Sequence, residues 1–188
     1  MLRRPIACLI AAILLALSWF AWPVAADQRD ERLDQLFTRL KTTSDPREAK
    51  AVEQIIWHLW MDSDDATVRQ LMRDGVTAMS RQQYDVALER FNRIVQHAPD
   101  FAEGWNKRAT VYYLIGNYPS SVLDIERTLQ LEPRHFGALS GLGLIYDAIG
   151  RPAAALRSFE AALAINPHLS GARRRVQELR RQLRGRPT

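Results

Sequence analysis

Three prolines divide the second half of the chain at equal intervals, and this regularity constrains the fold more than any other feature of the sequence. Pro99, Pro133 and Pro167 follow one another at a spacing of 34 residues. A fixed period of this size is typical of a solenoid built from helical hairpins. Because proline disfavours a helical conformation at the residue before it and interrupts the helix, each of the three is predicted to close the second helix of a hairpin.

The residues between the prolines repeat in the same phase. With each proline at position 32, the repeats run over 68–101, 102–135 and 136–169. Small residues at positions 8 and 20 let two helices approach closely, and mostly large ones at positions 4, 11 and 24 fill the space beside that contact. Position 4 holds Leu71, Trp105 and Leu139; position 8 holds Gly75, Ala109 and Gly143; position 11 holds Ala78, Tyr112 and Tyr146; position 20 holds Ala87, Ser121 and Ala155; and position 24 holds Phe91, Ile125 and Phe159.

On these residues, the stretch 68–169 resembles the tetratricopeptide (TPR) repeat family, although Arg108 stands where the pattern favours Leu. The resemblance implies an all-α fold, a right-handed superhelical α-solenoid of TPR helical hairpins with an N-terminal helical cap and a C-terminal capping helix. The chain also looks like the small exported TPR proteins of Gram-negative envelopes.

The N-terminus has the layout of a secretory signal peptide. Two arginines near the start precede an uncharged run over 6–20, and small residues lead up to Asp27. This arrangement predicts a signal peptide over 1–26, cleaved between Ala26 and Asp27, and therefore export. Together with the resemblance to exported envelope TPR proteins, it implies a periplasmic protein.

The alternative is an uncleaved leader that anchors the protein in the inner membrane, facing the periplasm. Trp19 and Trp22 extend the apolar run toward the roughly 20 residues that a membrane helix needs.

The only cysteine, Cys8, lies within residues 1–26. If the leader is cleaved, the mature chain carries no disulfide and no cysteine ligand or nucleophile.

Both flanks of the repeats are predicted to be helical. In the N-terminal segment 27–67, apolar residues share one helical face up to Leu40, and Asp45 followed by Pro46 predicts the start of a second helix. When the register is extended by one repeat toward the N-terminus, residues 28–65 match a degenerate repeat, which is predicted to cap the first hairpin. The C-terminal segment 170–188 reads as an Arg-rich capping helix with a thin apolar stripe.

The sequence contains no pattern that indicates catalysis. The four histidines His58, His97, His135 and His168 lack metal-ligand spacing. The only glycine pair that suggests a phosphate loop, Gly141 and Gly143, follows no predicted strand. We therefore expect no enzyme activity, no metal and no cofactor.

The arginine-rich tail allows two interpretations. Residues 170–188 contain seven arginines and one glutamate, without the interleaved aromatic residues that favour nucleic-acid binding. We expect no nucleic-acid partner. A solvated capping helix and a peripheral contact with anionic lipid both remain open, and Arg173, Arg174 and Arg175 are the residues that would make such a contact.

The TPR resemblance implies that a partner binds along the first helices of the repeats, at positions 2, 5, 6, 9 and 12. An apolar floor flanked by basic and amide groups suits an extended or helical peptide that carries some negative charge. The predicted groove residues are Arg69, Met72, Arg73, Val76 and Met79 in the first repeat; Glu103, Asn106, Lys107, Thr110 and Tyr113 in the second; and Gly137, Ser140, Gly141, Leu144 and Asp147 in the third.

One TPR subclass grips the C-terminal carboxylate of chaperones with lysine, asparagine and arginine side chains. Met72, Val76, Lys107, Gly137 and Gly141 occupy those clamp positions here, so capture of a chaperone tail is not expected. The predicted function is a non-catalytic protein-protein interaction scaffold or adaptor in the periplasm that binds a peptide or protein segment in cell-envelope assembly or integrity. The alternative is a membrane-surface structural protein held by an uncleaved leader or by the arginine tail.

Overall fold

The computed structural model describes residues 31–184, which form nine α-helices and no strand. The predicted signal peptide, with its cleavage site at Ala26 and Asp27, lies outside this described part. The all-α solenoid is confirmed. Its helices are α1 (Glu31–Thr42), α2 (Pro46–Met61), α3 (Ala66–Ser80), α4 (Tyr84–His97), α5 (Ala102–Leu114), α6 (Tyr118–Leu131), α7 (Phe136–Ala148), α8 (Pro152–Ile165) and α9 (Ser170–Arg184).

Helices α3 to α8 form three hairpins, α3 with α4, α5 with α6 and α7 with α8, and successive hairpins pack on each other. The second helices α4, α6 and α8 end two residues before Pro99, Pro133 and Pro167, as the period predicts. The chain then turns within a few residues into the next first helix. Helix α9 packs on α8 and occupies the place of the first helix of a further repeat.

The turns inside the hairpins require a left-handed residue. Gly116 and Gly150 have φ of 78° and 72°, and Gln82 takes the equivalent position with φ of 60°. Glycine adopts this conformation without a steric penalty, whereas Gln82 carries a side chain there. Each of the three residues lies in the turn between the two helices of its hairpin.

Close helix contact within each hairpin depends on the small residues of position 8. A Cβ atom added to Gly143 would lie 2.8 Å from Cε1 of Phe159, and one added to Gly75 would lie 2.6 Å from Cε1 of Phe91. Both phenylalanines are buried. The pairing of position 8 with position 24 is therefore the contact that sets the distance between the two helices.

Two glycines of α7 provide a matched test of this contact. Gly143→Ala is expected to lower the free energy of unfolding by about 1–3 kcal/mol, because the new methyl group overlaps the Phe159 ring. Gly141→Ala is expected to raise it by about 0.5–1 kcal/mol, because alanine favours the helix and its Cβ would lie at an ordinary 3.6 Å from Cδ1 of Ile125. Thermal and guanidinium unfolding measure both variants, and equal effects would contradict the packing role of Gly143.

The N-terminal hairpin does not extend the stack. Helix α2 begins at Pro46 with Asp45 as its cap, as predicted. Its apolar face, however, packs on the start of α7 through a cluster that includes Phe136. The cluster consists of Leu33, Phe37, Leu40, Ala49, Val52, Ile56, Trp60 and Phe136. In the described part of the predicted cap, residues 31–65, Phe37 and Trp60 are buried beside Phe136 of the third repeat, and Met61 packs against the core of the first.

Polar contacts tie the same hairpin to the loops of later repeats. The Asn166 side chain donates to Glu53 at 2.9 Å, and Nε2 of His168 lies 3.1 Å from the Leu40 carbonyl oxygen. Arg134 forms an ion pair with Asp34. The N-terminal hairpin therefore contacts the loops that end the second and third repeats.

The C-terminal helix α9 is attached through both apolar and charged residues. Val176 and Leu179 pack in a cluster with Phe159 of α8. On the polar side, Arg180 pairs with Glu160 at 2.6 Å, and Arg175 pairs with Asp147 and Glu178. Within residues 31–184, no helix is sufficiently long and apolar to span a membrane.

Candidate functional site

A groove of about 210 Å³ lies between α5 and α7, with α6 contributing to its lining. Seven of the predicted groove residues line it, two of them glycines. The lining consists of Asn106, Ala109, Thr110, Tyr113, Ser121, Ile125, Gly137, Ala138, Ser140, Gly141 and Leu144.

The repeat geometry explains why these residues meet. Helices α5 and α7 are the first helices of consecutive repeats, so residues at equal repeat positions face the same inner surface. Asn106 and Ser140 stand at position 5, and Thr110 and Leu144 at position 9. Gly141 leaves space in the middle of this surface because it has no side chain.

The N-terminal hairpin closes one end of the groove. The Trp57 ring lies so near Gly137 that a Cβ atom there would be 2.5 Å from Cη2 of the indole. Lys107 lies above the same indole, with Nζ 5.3 Å from the ring centroid. The inner wall is therefore partly occupied by the chain itself, at the end where α5 and α7 begin.

A buried polar cluster supports this closed end. Glu103, His135 and Trp60 have no exposed surface. Nε2 of His135 lies 2.8 Å from Oε2 of Glu103, and the Trp60 ring stacks on the imidazole with centroids 4.1 Å apart. Because Nδ1 of His135 accepts the Ala138 N–H at 3.0 Å and caps α7, its Nε2 carries the proton and donates to Glu103.

The charge of Glu103 is compensated inside the chain. Lys107 Nζ lies 2.8 Å from Oε1 of Glu103, as an ion pair without hydrogen-bond alignment. Asn106 donates its side-chain amide to Oε2 at 3.0 Å. Burial raises the pKa of Glu103, but the Lys107 charge and the hydrogen bond from His135 outweigh burial and hold that pKa below its ordinary 4.5.

Internal contacts therefore engage four predicted groove residues of the second and third repeats, Glu103, Asn106, Lys107 and Asp147. Lys107 neutralises Glu103, so it does not supply an open basic flank to the groove. Asp147 pairs with Arg175 of α9. The pair of Glu103 and Lys107 has the i, i+4 spacing of an ion pair on one helix, so the sequence carried a signal for it. The pair of Asp147 and Arg175 joins residues 28 apart, and no local pattern indicates it.

The predicted residues of the first repeat lie in a different place. A second cavity of about 380 Å³ lies between α2 and α3. Its lining includes the predicted residues Arg69, Met72, Arg73 and Val76. The remaining lining residues are His58, Met61, Asp62 and Thr77. Met79 packs against the core of the first repeat.

The predicted groove is thus divided into two sites by the N-terminal hairpin. In the described part of the chain, no group of three or more His, Cys, Asp or Glu side chains is placed to hold a metal ion.

Comparison with known sequences identifies two matches to the tetratricopeptide repeat family, over residues 74–129 and 136–169. A TPR repeat-containing protein of Rhizobium etli is 38% identical over 164 residues, which cover 87% of this chain and 80% of that protein. The Hsp70-Hsp90 organizing protein of Triticum aestivum is 24% identical over 115 residues. That alignment covers 59% of this chain and 20% of the wheat protein.

Solved structures share the fold at low sequence identity. The first TPR domain of Spaghetti (RPAP3), bound to the HSP90 peptide SRMEEVD, superposes with a TM-score of 0.61 and 20% identity. The alignment covers 66% of this chain and 98% of that domain. A crystal structure of the MamA protein gives a TM-score of 0.57 at 19% identity, with 80% of both chains covered.

Proposed function

The chain belongs to the tetratricopeptide repeat family, and on that premise we propose that it is a non-catalytic interaction scaffold whose groove between α5 and α7 binds a segment of a partner protein. The observation that carries this proposal is the groove itself. It lies on the inner wall between two first helices, and its lining contains seven of the predicted groove residues.

The size of the groove supports a peptide more than a small molecule. Ligand pockets for small molecules usually have volumes of about 300–1,000 Å³. The groove has about 210 Å³ and accommodates one or two side chains of a longer segment that continues along the surface. No hydrogen bond engages the hydroxyl groups of Tyr113 and Ser140 within residues 31–184, so both can bind a partner backbone.

Site-specific crosslinking tests the scaffold function. A photoreactive phenylalanine analogue at Tyr113 is expected to capture a protein partner in cell-envelope extracts, because that side chain lines the groove. The same residue at Leu123, which is 66% exposed on α6 and outside the groove lining, is the matched control. Equal adducts at both positions, or an adduct at Leu123 alone, would contradict the groove assignment.

The proposed compartment is the periplasm, where the scaffold would act in envelope assembly or integrity. The support is the signal-peptide layout of residues 1–26. Mass spectrometry of the exported protein is expected to find Asp27 as its first residue. A retained leader would favour the membrane-anchored alternative.

A membrane role for the arginine tail has less structural support. Two of its arginines, Arg175 and Arg180, form ion pairs with carboxylates of the solenoid. These contacts reduce the positive charge that α9 can offer to a lipid surface, and they favour its role as a capping helix.

A further inference from the structure

We propose that the partner segment bound between α5 and α7 is apolar and uncharged, an inference that rests on the scaffold function proposed above. It differs from the sequence-based expectation of a peptide with some negative charge. The proposal depends on the charges around the groove, on the exposed apolar residues at its open end and on the direction from which a segment can enter.

The groove contains no charged lining residue, and its charged neighbours are already compensated. Lys107 pairs with Glu103 at 2.8 Å. At the other end of α7, Asp147 pairs with Arg175. A carboxylate of the partner would therefore lose its hydration without meeting a free cation, and such burial is strongly unfavourable.

Exposed apolar side chains lie near the ends of the two helices that form the groove. Leu144 lines the groove and is 40% exposed. Leu114 and Ile115 directly follow Tyr113 and are 47% and 45% exposed, and Ile149 lies five residues beyond Leu144 with 46% exposure. Several exposed apolar side chains near a groove favour a protein-interaction surface.

The two ends of the groove differ, and this difference determines how a segment enters. Trp57 covers Gly137 at the end where α5 and α7 begin. The end where these helices finish has no such cover from the N-terminal hairpin and carries the exposed Leu114 and Ile149. A partner segment therefore enters from the hairpin-turn side, with one large apolar side chain inserted near Gly141 and others resting on the rim.

The cavity of the first repeat offers the contrasting chemistry. Arg69 and Arg73 belong to its lining, beside the apolar Met72 and Val76. An acidic peptide that binds this protein would find its cations in that cavity. The two cavities can consequently be distinguished by the charge of the ligand.

Two synthetic peptides of about ten residues test the proposal. One alternates leucine and serine, and the other has glutamate in place of every leucine. We expect the apolar peptide to bind the full exported protein, as measured by fluorescence anisotropy. Its affinity should change less than about twofold between 0.05 and 0.5 M salt, because no charge pair contributes to binding.

Two glycine variants locate the bound peptide. Gly141→Leu fills the groove and is expected to weaken binding of the apolar peptide at least about tenfold. Gly171→Leu adds the same side chain to α9, where a Cβ atom meets nothing within 4 Å, and should leave affinity unchanged. Leu144→Ser, at an exposed position of the groove, is expected to weaken binding of the apolar peptide about threefold. This variant tests the same site in the event that Gly141→Leu does not fold.

Tighter binding of the acidic peptide, with an affinity that falls steeply with salt and is lost in Arg73→Glu, would overturn the proposal. Equal binding of the apolar peptide to wild type, Gly141→Leu and Leu144→Ser would also overturn it. In both cases the crosslinking experiment at Tyr113 tests the scaffold function independently of the peptide measurements. A captured protein with either result would mean that the partner class is wrong while the groove still binds a protein.

Discussion

Trp60→Ala is expected to lower the free energy of unfolding by about 3–5 kcal/mol, as removal of a fully buried large side chain does. Trp60 has no exposed surface, stacks on His135, and packs on Phe136 and Phe37 with ring centroids 5.0 and 6.0 Å away. The substitution leaves a cavity at the junction between the N-terminal hairpin and α7. Guanidinium unfolding, followed by circular dichroism, measures the loss.

Two further variants separate packing from hydrogen bonding at this position. The buried Nε1 of Trp60 has no hydrogen-bond partner within residues 31–184, so Trp60→Phe loses volume but also removes an unsatisfied donor. It is expected to cost about 1 kcal/mol, and Leu123→Ala, at a well-exposed site, less than about 0.5 kcal/mol. A loss below about 1 kcal/mol for Trp60→Ala would contradict docking of the hairpin on α7.

Glu103→Ala is expected to lower the free energy of unfolding by about 3–5 kcal/mol, because removing one member of a buried ion pair leaves the other without compensation. Here the substitution removes the carboxylate that faces both Lys107 and His135, and it leaves the Asn106 side chain without its acceptor. Urea unfolding at neutral pH measures the change. Glu126→Ala, at an exposed position of the neighbouring α6, serves as the control and should change stability by less than about 0.5 kcal/mol.

The same carboxylate predicts how stability depends on pH. The folded-state pKa of Glu103 lies below its ordinary 4.5, so its ionised form stabilises the fold at higher pH, and this contribution disappears as pH falls through the folded pKa. Asp65, whose pKa is lowered to about 2 mainly by the hydrogen bond with His97, acts in the same direction. The wild type should therefore lose more stability on acidification than Glu103→Ala does, and parallel pH profiles would contradict the prediction.

The repeat pattern predicted the solenoid because its contacts are close in sequence. The glycines of position 8 pack on the phenylalanines of position 24 only 16 residues later, within one hairpin. Each repeat contacts chiefly its neighbours, so a local pattern that occurs three times predicts the packing of the whole stack. The helix boundaries at Pro99, Pro133 and Pro167 follow from the same local chemistry.

The candidate groove was predictable only in part. Asn106, Thr110 and Tyr113 line it because their repeat positions face the inner wall. Lys107 has an equally suitable repeat position, but its ammonium group is used by Glu103 and the Trp57 ring. A repeat position indicates which way a side chain points, and it does not indicate whether another part of the chain already binds that side chain.

Periodicity alone was sufficient to identify the family and the all-helical stack, because both depend on contacts between neighbouring repeats. The docking of the N-terminal hairpin was decided by tertiary structure. The Trp60 ring stacks on His135, and Nε2 of His168 contacts the Leu40 carbonyl oxygen, across long stretches of chain. These contacts have no counterpart in the repeat pattern. That docking divides the inner wall, places the Trp57 ring beside Lys107 and leaves a groove without charged lining open at one end.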